Sequence, residues 1–368
     1  MLASLTAEEI AFAAAATRAR LAPSALTFYD ISLLESFTSA QKEHLLRTGD
    51  ESALARRRAR VVVSEREFQR VTVLDVPVSR FDSRPPVCTP RPMVQPGLTG
   101  EEYALFERLV KEYEPFRVAC RERGVEPDDV KIDCWCVGWF GPEDDPNRRL
   151  AWPVIYLQRG DSSYDSLYTQ PLEGFQMRVD LWAKPSPRVE SFVVDEGAPP
   201  PPLPQPNLRF PDLHAELERP PLAPLLVSQP LGCSFELRED GELSWQRWRA
   251  LVTFNAREGA VLSRVTYDGR PVAWRLSFVE MVVPYADPHH PHYLKSAFDA
   301  GEEGLGSNAN SLDPARCDCV PGARPAFLDA ALFSEDGTPD VIKNAVCVHE
   351  EDGGLLWKHV DWRTGEGV

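Results

Sequence analysis

The sequence predicts an α+β protein: two small helix-on-sheet units followed by the opening part of an antiparallel β-domain. Three observations carry this reading. The run Leu5-Thr6-Ala7-Glu8-Glu9 recurs as Leu98-Thr99-Gly100-Glu101-Glu102. Each copy leads into helical and then strand-like patterning. From Leu225 onward, strand signals follow one another without helical ones between them.

Each copy of the repeated run is a capping box. The Thr side chain accepts from a backbone N–H three residues on, and the Glu reaches back to the cap. Behind the first copy, Ala11–Ala16 predict an amphipathic helix, with Glu8 and Glu9 at its start and Arg18 and Arg20 near its end. Behind the second, Tyr103, Phe106, Leu109, Val110 and Tyr113 recur at helical spacing and form one apolar stripe. Strands are expected at Arg60–Val63 and Val71–Val76 in the first unit, and at Val130–Phe140, Ala151–Leu157 and Met177–Trp182 in the second. The units are expected to span residues 1–86 and 87–195. The repeated cap raises the expectation of a duplication.

A Pro-rich linker, residues 196–224, follows. Ala198–Pro206 read APPPPLPQP, and Pro220, Pro221 and Pro224 continue the theme. Such chain is extended and cannot donate to a sheet ladder. It suits a wrapping interdomain arm, with a segment for a proline-binding module as the alternative. Residues 225–368 then read as antiparallel β, with strands at Ser234–Leu237, Leu243–Thr253, Ala260–Tyr267 and Val272–Pro284. Asp268-Gly269 is a hairpin signal between two of them. No closing element is evident, so an incomplete domain is expected.

Composition narrows the function classes. The formal net charge of −16 repels phosphate backbones, which argues against a nucleic-acid partner. The dense basic run Arg56, Arg57, Arg58 and Arg60 reads as a solvated face or turn. No apolar run approaches the ~18 residues of a membrane span, and the N-terminus has no basic start before an apolar stretch. The eight cysteines are spread thinly, which makes an intracellular protein the default.

One segment carries the chemistry. The expected strand Leu276–Pro284 ends at Tyr285, a loop of prolines and histidines follows, and Lys295–Gly306 then surrounds Asp299 with small residues. Ala297, Ala300 and Gly301 leave room for a ligand, while Phe298 and Leu305 can supply an apolar wall. A carboxylate in such a wall is desolvated and suited to act as a general base. The bland alternative is a turn at Asp-Ala-Gly. His289, His290 and His292 include a His-x-His that could hold copper or zinc, but without further ligands nearby an exposed polar loop is the better reading. Cys134-x-Cys136 and Cys317-x-Cys319 have too short a spacer for an ordinary zinc site. The sequence therefore nominates no metal ligands.

Arg275–Leu312, RLSFVEMVVPYADPHHPHYLKSAFDAGEEGLGSNANSL, closely resembles the copper/topaquinone primary amine oxidases, as does Asn344–Gly365, NAVCVHEEDGGLLWKHVDWRTG. Leu98–Phe116 and Trp135–Phe140 resemble that family's second small domain, and Leu5–Ile10 its first. The resemblance implies that the β-domain opens a catalytic β-sandwich. It implies oxidation of primary amines by oxygen to aldehyde, ammonia and hydrogen peroxide, with copper and topaquinone as cofactors. By position it makes Asp299 the proton-abstracting base and Tyr285 the residue that holds the quinone oxygen. Ala297, Phe298, Ala300, Gly301, Glu302, Glu303, Gly304, Leu305, Gly306, Ser307 and Asn308 fall in its substrate-binding segment, and Trp135 at its entry channel. It implies a disulfide between Cys319 and Cys347, with Cys317 the near alternative to Cys319 and reduced thiols the other outcome. It further implies a homodimer and a cytoplasmic or peroxisomal location.

The sequence also departs from the family pattern. Tyr29, Tyr164 and Tyr267 each precede Asp, but none follows Asn as the quinone precursor does. His290-x-His292 lies in the wrong segment for copper. In the family both groups lie downstream of the last motif, so the expectation is a truncated oxidase, inactive alone. The alternative is a non-enzymatic binding or partner protein built on the same fold.

Overall fold

A computed structural model describes residues 2–50, 57–78, 82, 84–138, 148–158, 170–202, 220, 222–223, 228–278, 280–284, 288, 293, 296–298, 304–313, 324–354 and 358–367. For 296–298 it describes the backbone alone. The chain is α+β, as expected.

In the first unit the elements are α1 (Ala7–Leu21), β1 (Leu26–Leu33), α2 (Ser39–Thr48), β2 (Arg58–Glu65), β3 (Arg70–Pro77) and β4 (Val87–Arg91). The strands form one antiparallel sheet in sequence order. The α1 face carrying Ile10, Ala13 and Ala14 packs with Phe28, Val61, Val63, Leu74 and Val76 in a closed core. Burying each large aliphatic or aromatic side chain there contributes roughly 1.5–3 kcal/mol. Strand β4 begins at Val87, just past the expected unit boundary, and completes this first sheet.

The second unit repeats the plan with α3 (Gly100–Glu112), α4 (Glu114–Glu122), β5 (Val130–Cys136), β6 (Leu150–Leu157), β7 (Phe175–Asp180) and β8 (Arg188–Val194). Its sheet also runs in sequence order. Phe106, Val110 and Phe116 from the helices meet Ile132, Leu157, Phe175 and Val179 from the sheet.

Both expected capping boxes are present. Thr6 accepts from Glu9 N while Glu9 accepts from Thr6 N, and Thr99 and Glu102 do the same. Each cap glutamate also takes an arginine from just before the second strand of its sheet. Arg57 Nε donates to Glu9 at 2.6 Å, and Arg57 also donates to Ala3 O and Ser4 O. Arg149 Nε donates to Glu102 at 2.9 Å, and Arg149 also donates to Pro96 O and Gly97 O. The paired carbonyls sit at the same offsets before the two cap threonines. The repeat noticed in five residues thus extends to a lock made by residues far away in sequence.

The third unit holds β9 (Phe235–Leu237), β10 (Glu242–Trp245), β11 (Trp248–Asn255), β12 (Gly259–Tyr267), β13 (Arg270–Leu276), β14 (Val282–Pro284), β15 (Ser296–Phe298), β16 (Ala326–Phe333) and β17 (Pro339–Val348). β9 to β13 form a five-stranded antiparallel sheet, and β14–β15 and β16–β17 are antiparallel pairs.

Several expectations need correction. Leu243–Thr253 is two strands, because Gln246, at φ 50°, turns the chain so that Trp245 faces Trp248. Val272–Pro284 splits into β13 and β14. Strand β5 ends at Cys136, short of the expected Phe140. The basic run is a free face only in part: Arg60 is exposed on β2, while Arg57 is tied to the N-terminal segment and Arg58 donates to Asp75 O, and Arg56 lies outside the described residues.

The units are joined by hydrogen bonds. Phe28 N donates to Glu335 O at 2.8 Å, Phe254 N donates to Ser4 Oγ at 2.9 Å, and Glu101 N donates to Glu335 Oε1 at 3.1 Å. Gly337, at φ 74°, lets the β16–β17 turn lie against Ala14 and the Phe28 ring, where a Cβ would stand 3.0 Å from both. No described helix is long and apolar enough to cross a membrane.

Candidate functional site

Strand β14 ends at Pro284, immediately before Tyr285, and β15 ends at Phe298, immediately before Asp299. The two strands pair with Val282 opposite Phe298, Val283 opposite Ala297 and Pro284 opposite Ser296. The backbone of Ala297 and Phe298 is therefore placed in a ladder. Tyr285, Asp299, Ala300, Gly301, Glu302, Glu303 and Cys319 lie outside the described residues, as do His289, His290, His292 and Cys317.

Gly304, Leu305, Gly306, Ser307 and Asn308 are described, and they form a tight turn. Asn308 N and Asn308 Nδ2 both donate to Gly304 O. This turn sits on the β11–β12 hairpin loop. Leu305 N donates to Arg257 O at 2.9 Å, and Ser307 N donates to Ala256 O at 2.8 Å. Contact is so close that a Cβ on Gly304 would stand 2.5 Å from Ala256 O, and one on Gly306 2.0 Å from Asn255 O. Only glycine fits either position. Downstream, Leu312 N donates to Asn344 O and Asn344 Nδ2 donates to Leu312 O, which pins the segment to β17.

The hairpin loop beneath is the feature that the sequence reading passed over. Asn255 Oδ1 accepts from Arg257 N and Glu258 N, and Asn255 Nδ2 donates to Glu258 Oε2 at 3.0 Å. Arg275 forks onto Glu258, at 2.7 Å to Oε1 and 2.5 Å to Oε2. Burial pushes the Glu258 carboxyl up, but bonds from Arg275 and Asn255 outweigh it and hold the group below the usual carboxylate range. The available signal was local: Asn255 and Gly259 bracket a short polar loop between two apolar strands.

Two cavities flank this loop and share Asp30, Ala256 and Arg257 in their walls. One, of about 490 Å³, lies between the first unit and the β-domain and is bordered by Lys42, Arg60 and Trp274. The other, of about 550 Å³, is bordered by Tyr29, Thr99 and Glu335 and reaches Gly304 and Ser307. Burial raises the Asp30 carboxyl to about 6, against the donation from Ser32 and the charges of Arg60 and Arg257.

Trp135 lies on β5 opposite Trp152 and packs with Val137, Trp152, Val154 and Tyr156. It belongs to an aromatic group on the second unit's sheet. Cys347 lies on β17 with its Sγ 3.6 Å from His349 Nδ1, while His349 Nε2 is 2.8 Å from Glu351. Among the described residues no three His, Cys, Asp or Glu side chains are grouped as metal ligands. Burial pushes the Cys134 thiol well up, which disfavours the thiolate that zinc would need. The described residues thus do not compose a copper or zinc site.

Comparison with known proteins agrees along the chain. The copper amine oxidase enzyme domain matches residues 236–368, and the copper amine oxidase N3 domain matches residues 101–209. The peroxisomal N-methylputrescine oxidase 1 of Nicotiana tabacum is 43% identical over 282 residues, covering 74% of this chain and 35% of its own. The primary amine oxidase of Arthrobacter sp. (strain P1) is 35% identical over 277 residues, covering 74% of this chain and 41% of its own. The crystal structure of a copper-containing benzylamine oxidase from Hansenula polymorpha superposes with a TM-score of 0.81 at 28% identity, over all of this chain and 57% of that one. The chain therefore spans between about a third and about three fifths of the length of these proteins. Two domains of one enzyme family are matched in order, on a fold shared from end to end, and the chain belongs to the copper amine oxidase family.

Proposed function

We propose that this chain carries the amine-binding segment and the proton-abstracting base of a copper- and quinone-dependent primary amine oxidase. The observation that carries the reading is the match of residues 236–368 to the family's enzyme domain, which includes the whole segment from Tyr285 to Asn308. The seating of Gly304–Asn308 on the hairpin loop supports it, because a positioned base needs a rigid frame.

In this reading Asp299 takes the proton from the carbon beside the amine nitrogen. Tyr285 would hold the quinone oxygen through its hydroxyl, and Ala297–Asn308 would line the space that the amine fills. Trp135 borders the approach, and Cys319 bonds to Cys347. The quinone, when bound, supplies the electron sink. Net negative charge favours approach of a cationic amine. Oxygen is the second substrate and a second copy of the chain the partner. The tobacco relative is named peroxisomal, and a peroxisomal or cytoplasmic location goes with this reading.

The test is amine-dependent release of peroxide by the native, copper-loaded protein. A positioned base contributes ~10²–10⁴-fold in rate. Asp299→Asn should therefore lower kcat by about that factor while the fold persists. Full turnover in that variant would place the base elsewhere.

A further inference from the structure

The Gly304–Asn308 turn rests directly on the β11–β12 hairpin loop. Its inner face is backbone pressed on backbone, through Leu305 N to Arg257 O and Ser307 N to Ala256 O. Ser307 Oγ adds a third bond to Ala256 O at 3.3 Å. Its placement therefore depends on the Asn255–Glu258 loop, and among the described residues that loop is tied by Arg257 to Glu280 and by two stronger devices. One is local, the Asn255 side chain capping Arg257 N and Glu258 N. The other is remote: Arg275 on β13 forks onto Glu258, and Ser277 Oγ donates to the same carboxylate at 3.1 Å. Arg275 Nε also reaches Glu35 of the first unit at 3.3 Å.

From this geometry we propose that Glu258 and Arg275 are positioning residues for the amine-binding segment, acting through the Asn255–Glu258 loop. Neither lies in the Tyr285–Asn308 stretch. The Glu258 and Arg275 side chains are 13% and 26% exposed, so the pair is shielded enough to be more than a surface contact. The fork gives direction as well as attraction, which a single point charge does not. Gly304 lies five residues after Asp299, and a displacement of about 1 Å at a reacting group can cost about 10² in rate. Holding the loop therefore matters to the chemistry even though no atom of the pair touches the amine.

The test uses the native, copper-loaded protein and two variants. Glu258→Gln keeps the shape and loses the ion pair, and Arg275→Lys keeps the charge and loses the fork. Hydrogen exchange is followed in peptides covering 304–309, with 7–21 and 58–65 as references. In Glu258→Gln, exchange in 304–309 is expected to quicken by about tenfold or more while the references stay unchanged. Arg275→Lys should fall between it and the unaltered protein. Unchanged exchange in 304–309, or equal quickening everywhere, overturns the proposal.

The kinetic arm rests on the oxidase reading. kcat should fall about tenfold with KM nearly constant, and the isotope effect with an α-deuterated amine should rise as proton removal becomes slower. A purely structural role would lower the active fraction and leave the isotope effect alone, and that result also overturns the proposal. If the unaltered protein turns over no amine, the oxidase reading fails, while the exchange arm still decides the positioning claim.

Discussion

At the scale of single residues, Asp30 is the group whose titration should be visible from outside. Its carboxyl is raised from 3.8 to about 6 by burial. Between those values the folded protein holds a proton that the unfolded chain has released. This group's contribution therefore favours folding at low pH and is lost as pH rises through about 6. Two pH units correspond to at most about 3 kcal/mol. Asp30→Asn should raise Tm relative to the unaltered protein at about pH 7.5 and change it little at about pH 4. Equal shifts at both pH values would show that Asp30 is not the titrating group. Nothing in the sequence marked this residue. Tyr29-Asp30 stood out only as a Tyr-Asp pair, and the burial that shifts it comes from a cavity wall shared by two units.

At the scale of elements, the repeated lock on the helix caps makes a comparison possible. Arg149 and Glu102 are 3% and 2% exposed, whereas Arg57 and Glu9 are 14% and 20% exposed. Removing one partner of a fully buried pair strands a charge and costs about 3–5 kcal/mol, whereas replacing both partners by apolar groups costs far less. Arg149→Met should therefore lower Tm more than Arg57→Met, and Glu102→Leu combined with Arg149→Met should recover much of the loss. Thermal unfolding of the three proteins checks the order. A smaller effect at Arg149 than at Arg57 would mean that burial does not set the cost.

The caps were legible because capping is local chemistry within four residues. Other elements were not. Strand β1, LTFYDISL, buries Phe28 and Ile31 three apart, with a register shift between Phe28 and Asp30, so it lacks the alternation that marks a strand. Helix α2 buries only Leu45, and its other apolar residues, Ala40 and Leu46, do not make a stripe at helical spacing. Of the arginines that complete the caps, Arg57 read as part of a basic run and Arg149 was not singled out, because their partners lie about fifty residues back.

At the scale of the whole molecule, the third unit presents an apolar edge. Leu276, Phe278, Met281 and Val282 are all exposed within seven residues, with Phe278 at 69%. Isolated exposed apolar side chains are ordinary, but a run of this kind is a site of association. The chain of 368 residues should therefore self-associate, with apparent mass by light scattering rising with concentration. Phe278→Ser with Val282→Thr should reduce that rise. A monodisperse monomer across the concentration range would end the idea.

Residue patterns alone determined the α+β class, the two capped units, the β-rich third unit and the family, because each depends on short-range rules or on a long run of matching residues. Asp299 and Tyr285 were nominated by that run and stand as proposals. What only the tertiary structure decided is how the segment is held. The Gly304–Asn308 turn rests on a loop some fifty residues earlier, locked by Arg275 from a neighbouring strand. Gly304 and Gly306 fell in the segment that the resemblance assigns to substrate binding, and both are needed because another backbone lies against them. Spacing along a chain cannot report that contact, since which backbones meet is settled only when the sheets pack.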